Sequence, residues 1–314
     1  MTTRKLASTD LVVSRLAYGN MRCVGTWNPA EATAERRAIG VRSHLAAFDA
    51  GYTLFDTADI YCRGVCEEVL GQTLRENPRL RGKIIIATKC GIRFGGEPSA
   101  DSPHRFDFSK EHITRSCEQS LKRLGVEAID LYMLHRPDAL MNPPEVAEVF
   151  DALHKAGKVR YFGVSNFLPH QLSNLQKHTR QPLVVNQVEI HLGRLACLED
   201  GTLDQCMERS ITPLSWSPLG GGWLGAGRQP AMNDPLYAQK KLLVDLLDAT
   251  AKELGVTRTV ISLAWLLKHP AGIVPIVGSN NPTNIADAAK ADTIDLTREQ
   301  WYRIYVAARG KPLP

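Results

Sequence analysis

The sequence predicts an α/β protein folded as a single (β/α)8 TIM barrel over residues 1–314, and three observations carry that prediction. The chain has 314 residues, enough for the ~250 that such a barrel needs plus decoration. Strand-type apolar runs alternate with helical patterns along nearly its whole length. No Pro/Gly/Ser-rich linker or shift in composition divides it. The runs fall at Arg15–Gly19, Thr53–Asp56, Lys83–Lys89, Ile129–His135, Val159–Val164, Leu183–Val188, Ile211–Ser217 and Gly272–Ile276. Between them, Val146, Val149, Phe150 and Leu153 recur at one-face helical spacing, as do Ile113, Cys117, Leu121 and Leu124 behind an N-cap at Ser109. Gly51, Gly125 and Gly157 follow helical stretches, where a left-handed cap favours glycine. Strand alternating with helix implies parallel pairing and right-handed crossovers. Eight such units close economically into a barrel; an open doubly wound sheet is the alternative. Only Gly220 to Asp234 breaks the rhythm, and a long Gly-rich loop of this kind is usually functional.

Composition narrows the function. Lys and Arg number 38 against 33 Asp and Glu, a net charge of +5, with no basic run of the kind that binds nucleic acid. No uncharged apolar run approaches the ~18 residues of a membrane span. Asp10 and Arg15 interrupt any apolar leader, so no signal peptide is expected. Seven cysteines, an odd number, read as reduced buried thiols of a cytoplasmic protein. Cys62 and Cys66 lie close but lack a second Cys/His pair at zinc spacing, so no metal site is expected. A monomer or weak homo-oligomer acting on a small molecule fits this balance.

In a barrel, chemistry gathers at the C-terminal strand ends. The second run ends in Asp56 and is followed by Tyr61, the third ends in Lys89, and the fourth closes on His135. An acid, a phenol, an ammonium and an imidazole thus reach one rim from three neighbouring strands. An Asp56–Lys89 pair keeps the ammonium charged, and the ammonium is expected to lower the pKa of Tyr61 towards neutrality.

These motifs resemble the catalytic tetrad of the aldo-keto reductases. The likeness continues through Gly163-Val164-Ser165-Asn166-Phe167, Asn186-Gln187-Val188-Glu189, Ser215-Trp216-Ser217-Pro218-Leu219-Gly220 and Pro275-Ile276-Val277-Gly278-Ser279. It is greatest to the bacterial general oxidoreductases that carry His-Arg-Pro-Asp after strand four, here His135 to Asp138. The resemblance implies metal-free carbonyl reduction by a nicotinamide cofactor. Tyr61 is then the proton donor, Lys89 and Asp56 tune it, and His135 orients the carbonyl. Ser165, Asn166 and Gln187 hydrogen-bond the nicotinamide carboxamide, and Trp216 stacks on its ring. Gly19, Asn20 and Met21 lie beside the cofactor. Ser217, Leu219, Gly220 and Gly221 begin a cover over its phosphates, with Gly278 and Ser279 opposite. Trp27 forms an apolar wall for substrate, beside Tyr61 and His135.

Gly220 to Gly225 also fits G-x-G-x-x-G, but Pro230 and Pro235 follow where the dinucleotide fingerprint demands a helix. The family's usual basic residue for the 2′-phosphate falls at Asn284, which predicts a weaker NADPH preference and leaves NAD possible. Two other classes stand beside the enzyme: a cofactor-binding, redox-sensing regulatory subunit with little turnover, and a metal-dependent barrel isomerase or hydrolase. The last needs several His and carboxylates around one ion, and only His135 comes from this rim.

Overall fold

The computed structural model describes every residue from 1 to 314. The chain opens with an antiparallel hairpin, β1 (Thr3–Lys5) and β2 (Val12–Ser14), then runs through β3 (Ala17–Gly19), α1 (Ala34–Asp49), β4 (Leu54–Asp56), α2 (Val65–Glu76) and β5 (Ile85–Cys90). A second hairpin, β6 (Ile92–Arg93) and β7 (Arg105–Phe106), precedes α3 (Lys110–Leu124), β8 (Ile129–Leu134), α4 (Pro143–Lys155) and β9 (Val159–Ser165). Then come α5 (Pro169–Gln176), β10 (Leu183–Glu189), α6 (Thr202–Glu208) and β11 (Thr212–Trp216). The chain ends with α7 (Tyr237–Glu253), α8 (Arg258–Leu267), β12 (Val274–Val277), α9 (Pro282–Ala289) and α10 (Arg298–Arg309). Strands β3-β4-β5-β8-β9-β10-β11-β12 form a closed barrel in which every neighbour is parallel, and β12 pairs back onto β3. These are the eight runs read from the sequence.

Two apolar layers hold it together. Inside the barrel, Ala17, Leu54, Ala87, Leu131, Met133, Val185, Leu214 and Val274 pack with Leu6, Leu11 and Val13 of the first hairpin, which therefore plugs the bottom. Outside, the helices cover the strands through a larger cluster; Phe150 of α4 stacks on Phe162 of β9 at 4.0 Å. The stripe Val146, Val149, Phe150 and Leu153 is buried as its spacing predicts. Ser109 caps α3 by accepting from the His112 N–H, and Gly125 closes that helix with φ 66°. Gly51 and Gly157 also adopt the left-handed conformation, with φ 92° and 69°.

The doubled helix α7–α8 between β11 and β12, α10 and both hairpins go beyond the eight-unit pattern. Their strands have two or three residues each, too short for a two-residue period to register. All seven cysteines are free and buried, and no group of three or more His, Cys, Asp or Glu is placed to hold a metal. No helix is long and apolar enough to cross a membrane.

Candidate active site

The register that closes the barrel also sets the site. Asp56, last in β4, stands level with Gly19 of β3 and Ala87 of β5, and Ser165 stands level with Gln187. Lys89 points into the top of the barrel and is fully buried. Its ammonium donates to Asp56 Oδ1 at 2.7 Å, Asp56 Oδ2 at 2.8 Å and the Thr57 carbonyl at 2.6 Å. All three N–H bonds of the ammonium are thereby satisfied. Asp56 Oδ1 also accepts from Gln187 Nε2 at 2.7 Å across the mouth of the barrel.

Tyr61 follows on a tight turn after β4, where Cys62 and Arg63 adopt left-handed φ of 46° and 52°. Such backbone persists only where its surroundings impose it, and it clusters at functional sites. The Tyr61 ring lies 5.0 Å from Lys89 Nζ, 5.8 Å edge-on from His135 and 6.0 Å edge-on from Trp27. The four residues expected at one rim are together there.

Their electrostatics correct one expectation. The Tyr61 phenol is held well above its ordinary pKa, first by burial and then by the Asp56 charge; Arg136 pulls the other way. Lys89 does not lower it towards neutrality. Its two bonds to Asp56 make the pair a compact dipole, and a dipole acts on the phenol far less than a free cation does. Tyr61 is therefore a protonated donor at neutral pH. Burial, then Lys89 and Arg136, hold His135 well below the usual imidazole range, so it is neutral. Its Nδ1 is buried without a partner. A proton there would be an unsatisfied buried donor, so the inventory of hydrogen bonds assigns the proton to Nε2. Desolvation, then the neighbouring Glu67 charge, pushes the half-buried Asp59 up to about 8.

A cleft of ≈ 560 Å³ opens over this rim. Gly19, Met21, Trp27, Asp56, Tyr61 and His135 line it, with Ser165, Asn166, Gln187 and Trp216 beyond them. Ser217, Leu219, Gly221, Gly278, Ser279 and Asn284 continue the wall. Asn20, Gly220 and Lys89 stand behind it: Asn20 is fully buried with both amide atoms unpaired, and Gly220 lies against Trp223 and His191. The wall also contains residues that the sequence reading gave no place in the site, among them Arg22, Ile60, Ile92, Arg136, Arg228 and Thr259. Arg136 was findable. It directly follows the strand-end His135, so it had to emerge on the same rim.

The chain's own residues fit a nicotinamide dinucleotide. Asn166 Oδ1 accepts from Trp216 Nε1 at 2.9 Å, Asn166 Nδ2 donates to Ser165 Oγ at 2.8 Å, and Ser165 Oγ donates to the Gln187 carbonyl at 2.8 Å. The polar set is thus fixed before any ligand enters. Asn166 and Ser217 hold φ of 61° and 50°, two more non-glycine residues in the left-handed region at this rim. Arg136 stands over the Trp216 indole at 5.2 Å. In the Gly-rich loop, Gly221 and Gly222 have φ of 71° and 110° and no atom within 4 Å of an added Cβ. The backbone N–H groups of Leu219 and Gly221 find no acceptor within the chain. Free N–H groups beside open space suit phosphate oxygens. No α-helix starts at these glycines, only one 3-10 turn over Gly220–Gly222, and α7 begins only at Tyr237, so the G-x-G-x-x-G match is not the dinucleotide fingerprint. On the far wall, Asn281 caps α9 and Pro282 opens it, giving the helix N-terminus a ready anion-facing end.

Barrel, rim and cleft together define an oxidoreductase of the TIM-barrel class that works on carbonyl groups. The chain belongs to the aldo/keto reductase family, which it matches over residues 15–308; members typically draw on NAD(P)H. It is 41% identical over 317 residues to a 6-dehydroglucose reductase of Novosphingobium aromaticivorans, covering 99% of this chain and 97% of the relative. It is 39% identical over 303 residues to oxidoreductase YdhF of Escherichia coli, covering 96% and 95%. Among solved structures, a glycerol dehydrogenase from Gluconobacter oxydans superposes with a TM-score of 0.86 at 26% identity, covering 99% of this chain and 97% of that one.

Proposed function

We propose that the protein reduces aldehyde or ketone carbonyls to alcohols with NADPH, using Tyr61 as the proton donor. The observation that carries this reading is the buried Lys89–Asp56 pair directly beneath a protonated Tyr61, with neutral His135 edge-on to the phenol. When bound, the nicotinamide supplies hydride to the carbonyl carbon. His135 Nε2–H hydrogen-bonds the carbonyl oxygen and sets its direction. Tyr61 delivers its proton to that oxygen as charge develops there, the general-acid step. Lys89, 5.0 Å from the ring, offsets only part of the phenolate charge left behind, because its pairing with Asp56 weakens its pull, while Asp56 and Thr57 keep its ammonium in place. Trp27, with half its surface exposed, walls the mouth above Tyr61.

Ser165, Asn166, Gln187 and Trp216 support a carboxamide-and-ring site. The free N–H groups of the Gly-rich loop support the pyrophosphate, and α9 with Asn284 supports the adenosine end. Arg22 and Arg228 are further cations on this wall. The test is initial rates of NADPH and NADH consumption with a panel of aldehydes and ketones, including sugar aldehydes, run with and without a chelator. Alcohol formation with NADPH, unaffected by the chelator, is expected. No turnover of any member with either cofactor sinks the proposal.

A further inference from the structure

We infer that Arg136 selects the substrate, and that the carbonyl compounds this reductase favours carry a carboxylate which that guanidinium receives. The inference rests on the reductase reading above and specifies its substrate class.

Cations elsewhere in this chain that turn inward are engaged, by carboxylates or, for Arg4 and Arg105, by backbone carbonyls. Lys89 is paired with Asp56, Arg123 with Glu67, and Arg258 with Asp248 and two backbone carbonyls. Arg136 is different. It is half-buried and lines the cleft beside Tyr61 and His135, yet its guanidinium has no carboxylate within 4.0 Å and no hydrogen-bond acceptor in the chain. What holds it is the indole face of Trp216, itself fixed by Asn166. Stacking leaves the N–H edge of a guanidinium free to make a two-point contact with a carboxylate.

The acid nearest in sequence cannot quench it. Asp138 takes the Phe108 N–H on one oxygen and the Leu140 N–H on the other, both at 2.9 Å. Those bonds and Pro137 brace the loop that displays Arg136. Asp56 is engaged by Lys89 and Gln187. The substrate end of the cleft therefore offers a cation, a phenol O–H and an imidazole N–H, set between aromatic walls, but no unengaged carboxylate. A neutral polyol needs acceptors for its hydroxyl protons. A carboxylate needs only donors, and the guanidinium edge, the phenol O–H and the imidazole N–H supply them.

Two matched pairs test this: 4-formylbenzoate against its methyl ester, and succinic semialdehyde against its methyl ester. Each is assayed with saturating NADPH as kcat/KM. For the wild type we expect the acid of at least one pair to be favoured by about tenfold or more, with the preference shrinking as salt rises. Arg136→Met keeps the apolar stem and removes the charge; it should bring the acid-to-ester ratio to about one. Arg136→Lys should restore part of it. Because the ratio is internal to each protein, a general loss of rate does not mask it, and the wild-type ratio stands even if a variant fails to fold. A wild type that favours neither acid overturns the inference. So does an Arg136→Met ratio equal to wild type, and if NADPH affinity falls in that variant the cation belongs to the cofactor instead. A protein that reduces no aldehyde at all removes the reductase reading itself, whereas failure of the acid preference alone leaves it standing.

Discussion

The two ends of this barrel are built on opposite terms. At the bottom, the β1–β2 hairpin seals the interior with Leu6, Leu11 and Val13, and its polar groups are matched. Ser14 and Thr53 exchange hydrogen bonds at 2.7 and 2.9 Å, and Thr212 Oγ1 accepts from the Ala7 N–H at 2.8 Å. At the top, buried polar atoms of Asn20, Thr57, Asp59 and His135 have no partner, and four of the chain's six non-glycine residues with left-handed backbone stand there, Cys62, Arg63, Asn166 and Ser217, against Ala7 and Ser210 at the other end. Satisfied contacts stabilise; unsatisfied ones are kept where a ligand or a reaction uses them. The bottom is therefore the stability end and the top the chemical end, and substitutions should separate the two.

The largest separation is expected from Tyr61→Phe. It keeps the ring and removes the acid, so carbonyl reduction should fall by about 10²–10⁴-fold while NADPH binding, followed by tryptophan fluorescence quenching, stays near wild type. Turnover close to wild type would remove Tyr61 from the mechanism. At the other end, Leu11→Ala should lower unfolding stability by about 2–5 kcal/mol, the usual cost of a buried leucine, and leave kcat unchanged below the melting transition. Urea denaturation and initial rates read these independently, and a fall in kcat at full folding would show that the ends are coupled.

A smaller effect concerns the cofactor. Asn284 lies exposed on the cleft wall in the first turn of α9. Asn284→Arg should tighten NADPH by roughly 1–3 kcal/mol through a charge-assisted bond and leave NADH nearly unchanged. Equal gains for the two cofactors would place residue 284 away from the 2′ position.

A further test is of pH dependence. Asp59 keeps its proton up to about pH 8 in the folded protein, against 3.8 for an ordinary aspartate. Between those values the folded state binds the extra proton, so stability falls as pH rises. Asp59→Asn removes that slope. The melting-temperature difference, variant minus wild type, should widen steadily from pH 5 to pH 8; a constant difference would mean that Asp59 is charged in the fold.

What could be read in the sequence follows from the same contrast. The eight strands, the caps at Ser109 and Gly125 and the gathering of Asp56, Tyr61, Lys89 and His135 were legible because local pattern and barrel topology determine them. The sign of the Tyr61 shift was not. It depends on Asp56 meeting Lys89 at two oxygens, a distance no spacing rule supplies. Arg136 was present in the motif, but the absence of a counter-charge is a property of its whole surroundings. The plugging hairpin escaped because its apolar residues, Leu6, Leu11 and Val13, are scattered through a turn and follow no period.

The β3–β12 seam has a further consequence, for the order in which the chain assembles. Ala17 and Tyr18 pair with Ile276 and Val277, so the first barrel strand lacks one neighbour until almost the whole polypeptide exists. Contacts of such sequence separation form slowly and late. During synthesis from the N-terminus, β3 and the plug must wait as an open sheet edge, the state most exposed to wrong partners. The Lys89–Asp56 pair can form long before that. Its cross-barrel brace to Gln187 joins residues 131 apart. The pocket's inner parts can thus assemble from the first two-thirds of the chain, whereas its far wall, Gly278 to Asn284, arrives only with the seam that shuts the barrel.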